Sequence, residues 1–507
     1  MAKILIKKIP TKKTAKKINI ARFLALAIGA AIFAAFTPMV AQAIDPNTIA
    51  QATDPNTLES VAKTTGELRL SIDTGWVLMT GFLIFFMQCG FAMLEAGLVR
   101  QTAVVNTLAE NFVDAATTLL AWWATGFAIA FGTSSNGFFG IDGFFLNNAF
   151  IFKDGGIEYA FDTGGSTAPV HTLTLFFFQF AFAATASTIT TGSMAERTDF
   201  KGDLIYTTIM GAIMYPLVVH WAWNSGGWLN KLSYHDFAGS SVVHTVGGWT
   251  SLVGAYLLGP RSDRQWGQMP PAHNLGYATI GTMILWFGWY GFNGGSALSL
   301  NNPGLISLVV VNTTISASAG AIAAFIYIYW RFRQWHLFCG LNGSLAGLVA
   351  ITAGCAYVMP WAAALIGAVA GILVLVVVDI IEWFEIDDPV GAFAVHGSCG
   401  MMGTIAVGLF GHPALTINKK AGLFLGGGFD VLGVQLGGVA AIATFAVAFS
   451  FLMFGSLNAL GLLRVNPEAD LIGIDFYEHG ASAWPDVYSI DDLEMDSIEN
   501  SDDDDDR

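Results

Sequence analysis

The chain has 507 residues, 54% of them hydrophobic and only 12% charged, with 57 glycines and a formal net charge of −15. That composition excludes a water-soluble enzyme and describes a polytopic membrane protein. The charge is local rather than general: from Arg464 onward fifteen acids stand against two arginines, and nothing in the balance points to a nucleic-acid partner.

In chain order, the first 43 residues have the three parts of a secretory signal peptide. Lys7, Lys8, Lys12, Lys13, Lys16 and Lys17 come first, then an apolar stretch from Phe23 to Phe36, then small residues at Ala41 and Ala43. Cleavage would start the mature chain near Ile44, outside the membrane. The alternative is an uncleaved twelfth helix.

Crossing about 30 Å of hydrocarbon takes roughly 20 residues of helix. On that measure eleven spans are expected, near 74–98, 109–132, 171–194, 203–223, 236–258, 274–292, 305–330, 339–357, 361–381, 389–410 and 430–458. The expected domains are the leader (1–43), a transmembrane domain (44–460) and an acidic cytoplasmic tail (461–507). An external start and eleven crossings put the carboxyl end of a multi-pass membrane protein in the cytoplasm. The basic residues obey the positive-inside rule on balance: Arg100, Arg197, Lys201, Arg261, Arg264, Arg331, Arg333 and Arg464 fall inside, while Lys153, Lys231, Lys419 and Lys420 fall outside. The run Asp502–Asp506 reads as a solvated end. Cys89, Cys339, Cys355 and Cys399 lie in apolar segments without close pairing, so neither a metal site nor a cofactor is expected.

One phrase occurs twice, DFAGSSVVH at 236–244 and DPVGAFAVH at 388–396. Each places a histidine eight residues after an acid in an apolar segment, and ionisable groups inside a bilayer usually mark an ion or substrate path. With an external start the two copies enter from opposite faces. Eight residues at 1.5 Å each carry each imidazole about 12 Å inward, so His244 and His396 are expected to meet near the midplane. Five spans followed by five of opposite orientation form an inverted repeat, and the eleventh helix lies outside it. His171 and His220, by contrast, read as interhelical hydrogen-bond donors or acceptors. Asp236 and Asp388 read as helix caps, with Pro389 suited to a first helical position; Asp236 adds a secondary electrostatic pull on a cation.

These residues resemble the ammonium transporter family (Amt/Mep/Rh), and within it the Amt branch. The stretch from Asp236 through His244 to Gly259-Pro260-Arg261 is similar to the family signature over its full length. The segments around Glu95, Gly192 to Arg197, Phe287 to Ser296 and Val395 to Gly400 match as well. The resemblance covers roughly 74–480.

The resemblance implies an outer vestibule that recruits ammonium at Trp223 and Ser296, with Phe182 beneath it, and a gate made of Phe182 and Phe292. A tryptophan face holds a cation by about 0.5 to 2 kcal/mol, and a serine hydroxyl accepts an N–H. Below the gate, the idealised cost of moving a bare cation into low dielectric is of order 20 kcal/mol. Releasing a proton two to three pH units below an amine's pKa costs roughly 3 to 4 kcal/mol. Ammonium is therefore expected to lose its proton and pass as ammonia along the twin histidines, with separate proton transfer and a net electrogenic outcome. Potassium has no proton to lose. The resemblance further implies a homotrimer in the lipid bilayer, methylammonium as an analogue substrate, and a possible PII-type signalling protein on the cytoplasmic side. Rival readings are a bis-histidine haem protein, an Rh-like ammonia or gas channel, and an ammonium sensor. A sensor would typically carry a folded signalling domain, for which the segment after 460 leaves little room.

Overall fold

The computed structural model describes residues 58–485 apart from 154, 162, 263 and 268–271. The expected leader and the acidic run after 485 lie outside the described residues. The chain divides into two units at 72/73, and the second, from Asp73 onward, holds the helical bundle.

A helical segment occupies each expected position. These are α1 (Leu58–Leu98), α2 (Val104–Ala121, continued by a π-turn Trp122–Gly126 and Phe127–Phe131), α3 (Thr172–Met194) and α4 (Phe200–Ile209, a π-turn Met210–Met214, then Tyr215–Trp223). There follow α5 (a π-turn Ser240–Thr245, then Val246–Leu258), α6 (Leu275–Gly295), α7 (Pro303–Phe332), α8 (Leu337–Thr352) and α9 (Pro360–Trp383). The last two are α10 (a π-turn Phe393–Ser398, then Cys399–Phe410) and α11 (Asp430–Ala459). Among the described residues eight helices are long and apolar enough to cross a membrane.

Local chemistry explains most boundaries. Asn302 caps α7 by accepting from Leu305 N at 3.1 Å, just ahead of Pro303, and Asn274 caps α6 through Tyr277 N. Proline within α4 would clash with the preceding turn, and Pro216 directly follows that helix's widened π-turn. Two edges differ from expectation. Helix α1 starts well before 74, because the charges at Glu67 and Arg69 weaken hydropathy without weakening helix propensity. Helix α8 stops at Thr352, because the next residues turn back under Asn312, whose amide donates to Cys355 O (2.8 Å) and Val358 O (2.9 Å).

Helices α5 and α10 run in opposite directions. The start of α5 lies by Trp223, while its end approaches Arg464 of the tail. The loop that opens α10 meets Arg261 and Arg197 at that tail-bearing face. Between α2 and α3 a small antiparallel hairpin, β1 (Phe150–Lys153) with β2 (Gly156–Tyr159), is exposed along its length.

Candidate functional site

Each buried histidine is positioned by the same local device. Asp236 Oδ1 accepts from the N–H groups of Gly239 (2.7 Å) and Ser240 (3.0 Å), and Oδ2 accepts from Ser241 N (2.8 Å), Val242 N (3.0 Å) and the Ser241 hydroxyl (2.5 Å). Asp388 likewise accepts from the N–H groups of Gly391, Ala392 and Phe393, each at 3.0 Å. Between acid and helix the chain turns through a positive φ, 112° at Gly239 and 77° at Gly391, a conformation that glycine adopts without a Cβ penalty. Pro389 thus precedes its helix rather than opening it. Both histidines then fall within the π-turn that begins the helix, a widened geometry often found at functional positions. The eight residues from acid to imidazole are therefore only partly helical.

Two glycines bring the turns together. A Cβ on Gly248 would lie 2.1 Å from Gly397 N, and one on Gly400 would lie 2.3 Å from Ser240 O. Each glycine follows its histidine by four residues, one helical turn away. With α5 and α10 in backbone contact, the buried imidazoles of His244 and His396 sit with centroids 5.1 Å apart and planes inclined by 26°. Their Nδ1 atoms are 3.1 Å apart, so one ring donates and the other accepts.

A line of rings extends from this pair. His244 stacks on Trp289 (5.1 Å) and Phe292 (5.5 Å), Phe292 lies 4.2 Å from Phe182, and Phe182 meets Trp223 edge-on at 5.9 Å. On the far side His396 approaches Phe91 at 6.2 Å. Trp223 is oriented by its indole N–H, which donates to Asp236 O at 2.8 Å. Ser296, one turn after Phe292, spends its own hydroxyl proton on Phe292 O (2.8 Å), which leaves its lone pairs as acceptors. Asp236 is 5% exposed, and its carboxylate oxygens are taken up by the cap.

The geometry thus brings Trp223, Phe182, Phe292, His244 and His396 into one column, with Ser296 beside it and Asp236 holding one end. It also adds residues that the sequence reading did not single out. Trp289 is fixed by an indole bond to Thr352 Oγ1 (2.8 Å) and lies within the segment from Phe287 to Ser296. The crossing glycines lie within the two histidine motifs. His220 and Trp221 stand apart from the column: His220 Nε2 meets Ser134 Oγ at 2.8 Å, and Trp221 donates to Phe138 O.

Beyond His396 a cavity opens toward the tail-bearing face, lined by Phe91, Glu95, Ile189, Asn342 and Val390 with the imidazole itself. An ion cluster caps that face. Arg261 bonds Asp387 through Nε (2.8 Å) and Nη2 (2.9 Å) and Glu196 through Nη1 (2.6 Å). Arg100 joins Glu196, and Arg264 joins Asp387 and Glu382. Burial pushes the Asp387 carboxyl up, but the Arg261 hydrogen bonds and the charges of Arg197 and Arg261 outweigh it and hold the group at about 2.

Comparison with known proteins places this architecture. Residues 75–484 match the profile of the Ammonium Transporter Family. The chain is 40% identical over 438 residues to ammonium transporter Amt2 of Archaeoglobus fulgidus, covering 82% of this chain and 89% of that protein. It is 35% identical to ammonium transporter 3 of Dictyostelium discoideum, covering 82% and 95%. Among solved structures it superposes on a sensor Amt protein with a TM-score of 0.74 at 35% identity, covering 81% of this chain and 99% of that one. For Saccharomyces cerevisiae Mep2 the TM-score is 0.71 at 26% identity, covering 79% and 90%. A membrane-spanning helical bundle with this sequence similarity along most of its length belongs to the ammonium transporter family, on its Amt branch.

Proposed function

We propose that the ring column is an ammonia pore fed by ammonium. The cation is held at Trp223 and Ser296, with the Asp236 charge and the Trp223–Asp236 bond setting the binding face. It gives up its proton at the Phe182–Phe292 gate, and ammonia then passes the His244–His396 pair. The observation that carries this reading is the Nδ1–Nδ1 distance of 3.1 Å directly beneath a closed aromatic stack. Neutral imidazoles sharing a hydrogen bond present both a donor and an acceptor to a small neutral amine, whereas the stack offers a hydrated ion nothing to replace its water. Selectivity against potassium follows from the proton step, and the separated proton crosses on its own, making the net process electrogenic.

The same reading puts the protein in a bacterial inner membrane with its tail-bearing face toward the cytoplasm, as a homotrimer with one pore per subunit, and assigns a PII-type protein to that face. Family membership supports these assignments, and acceptance of methylammonium is part of them. A second reading, ammonium sensing without significant flux, is favoured by the likeness to a sensor Amt protein. Uptake of labelled methylammonium into proteoliposomes separates the two. Saturable uptake by the native protein that is lost in H244A and H396A supports the pore; binding without uptake supports the sensor.

A further inference from the structure

The pore leaves four buried acids without a role. Glu95 on α1, Glu110 and Asp114 on α2 and Asp203 on α4 are each at most 2% exposed. Among the described residues no ion pair involves any of them. Holding four fixed negative charges in low dielectric without a cation is prohibitive, so the group is suited to exchanging protons.

Helix α2 is arranged to expose those acids to the bundle interior. From Asn106 to Thr118 every buried residue is polar: Asn106, Thr107, Glu110, Asn111, Asp114 and Thr118. Leu108, Phe112, Leu119 and Leu120 are turned outward. At 1.5 Å per residue this stripe is about 18 Å long, more than half of a hydrocarbon core of roughly 30 Å.

Glu95 connects the stripe to the pore. It lines the cavity beyond His396, and its Oε2 accepts from Asn111 Nδ2 at 2.8 Å and from the Thr191 hydroxyl at 3.0 Å. Asn111 Oδ1 in turn accepts from Thr188 (3.3 Å), and Asp114 Oδ1 accepts from Ser187 (2.5 Å). At the other end the Asn106 amide lies 3.2 Å from His479 Nε2 in the tail. Glu110 feels the charges of Asp203, Glu95 and the tail residue Glu478. Asp475 closes this end by accepting from the N–H groups of Val105 and Asn106.

An independent observation indicates what the stripe handles. Glu110 Oε1, Asp114 Oδ2, both carboxylate oxygens of Asp203 and the hydroxyls of Tyr206 and Thr207 are buried without a hydrogen bond of ordinary geometry, although Tyr206 lies toward Asp203 and Thr207 toward Asp114. Unpaired buried polar atoms are costly and point to an exchangeable occupant. No group of three or more His, Cys, Asp or Glu among the described residues is arranged to hold a metal. Carboxyls, hydroxyls and amides in file suit the proton, in the manner of intramembrane acid relays.

We propose that this stripe is a proton route beside the ammonia pore, entered at Glu95 and leaving at the Glu478–His479 end of the tail. The proton given up by ammonium adds to a nitrogen of the neutral imidazole pair, forming an imidazolium; it then leaves from His396, which returns to neutral imidazole, and adds to a carboxylate oxygen of Glu95. Transfer onward among Asp114, Asp203 and Glu110 restores Glu95 to the carboxylate form, and the tail-side groups release the proton to solvent. Ammonia and proton thereby leave the histidine pair by different paths and do not recombine in the pore. The inference rests on the twin-histidine reading given above.

The test is the charge moved per molecule of substrate, from methylammonium-evoked currents and labelled methylammonium uptake on the same proteoliposomes. E95Q and D114N keep the hydrogen-bonding shape but remove the titrating group. The expected result is a clear fall in charge per substrate below the native ratio, together with a change in the solvent isotope effect on the current. An unchanged ratio in E95Q overturns the route. Should D114N fail to fold, E95Q with T191V carries the test, since both lie at the entry. A native protein that takes up substrate without moving charge would overturn the electrogenic reading and this route together, and is distinct from a conducting native protein whose variants match it.

Discussion

Two buried columns lie in this bundle, and they are made of opposite materials. The line from Trp223 to His396 consists of rings whose polar atoms are confined to indole and imidazole nitrogens. The α2 stripe consists of carboxyls, amides and hydroxyls. The first offers a small neutral molecule a close-fitting path with one hydrogen-bonding station and gives an ion no replacement for its water. The second offers a proton successive oxygens and gives a neutral amine no passage. On the proposed reading, the two products of deprotonation are sorted by lining chemistry, without a tight cage for the ion.

The largest effect that can break this contrast is at the shared station. H244A and H396A are each expected to abolish selective ammonium transport while the protein remains folded in the membrane, read by uptake at matched protein levels. Next comes the tail. Removing residues from Pro467 onward takes away the Asp475 cap of α2 and the buried Ile474, and should impair flux strongly. Removing residues from Asp491 onward should leave flux near the native value, and equal activity of the two truncations would deny the tail a role.

The helix crossing gives a more graded test. A methyl group on Gly400 meets Ser240 O at 2.3 Å, so G400A should cost about 1 to 3 kcal/mol of stability and lower transport by separating the imidazoles. A native melting profile with full uptake would show that the crossing has more slack. The ion cluster adds a pH signature. Asp387 is held at about 2, below the ordinary value of about 3.9, so its contribution is present above that ordinary value and is lost as pH falls toward 2. That contribution is of order 2 kcal/mol. D387N should remove this acid-dependent part of thermal stability, and a pH profile identical to the native one would dismiss it. The smallest expected effect is at the entrance: W223L should raise the half-saturation for ammonium and methylammonium by roughly 5- to 30-fold, the equivalent of about 1 to 2 kcal/mol. A change in maximal rate alone would assign Trp223 to packing.

How far the sequence disclosed these columns depended on how each is encoded. The histidine pair was legible because the same acid-to-imidazole phrase occurs twice, and the helix order followed from hydropathy. The ring column was not legible from composition, since 39 phenylalanines conceal the two that stand against the histidine pair; only the resemblance singled out Phe182 and Phe292. Trp289 was hidden for the same reason. The crossing glycines could not be told from the many other glycines until the helix geometry showed which ones touch a neighbouring backbone. The acid stripe escapes a reading by hydropathy, because a span of 109–132 registers its acids only as lowered apolarity. Glu110 and Asp114 lie inside that span, but hydropathy does not show which face they share, and the helix start at Val104 adds Asn106 and Thr107 to the same buried face. The π-turns at both histidines also lie beyond hydropathy, which senses polarity and not the width of a turn.

The central claim is that ammonium sheds its proton and crosses the His244–His396 pair as ammonia. Its most direct test is the current evoked by an ammonium pulse on proteoliposomes, compared with an equal potassium pulse. The account predicts a saturable current with ammonium, none with potassium, and loss of the ammonium current in H244A and H396A. A potassium current of similar size, or a selective ammonium current that survives in both variants, would contradict it.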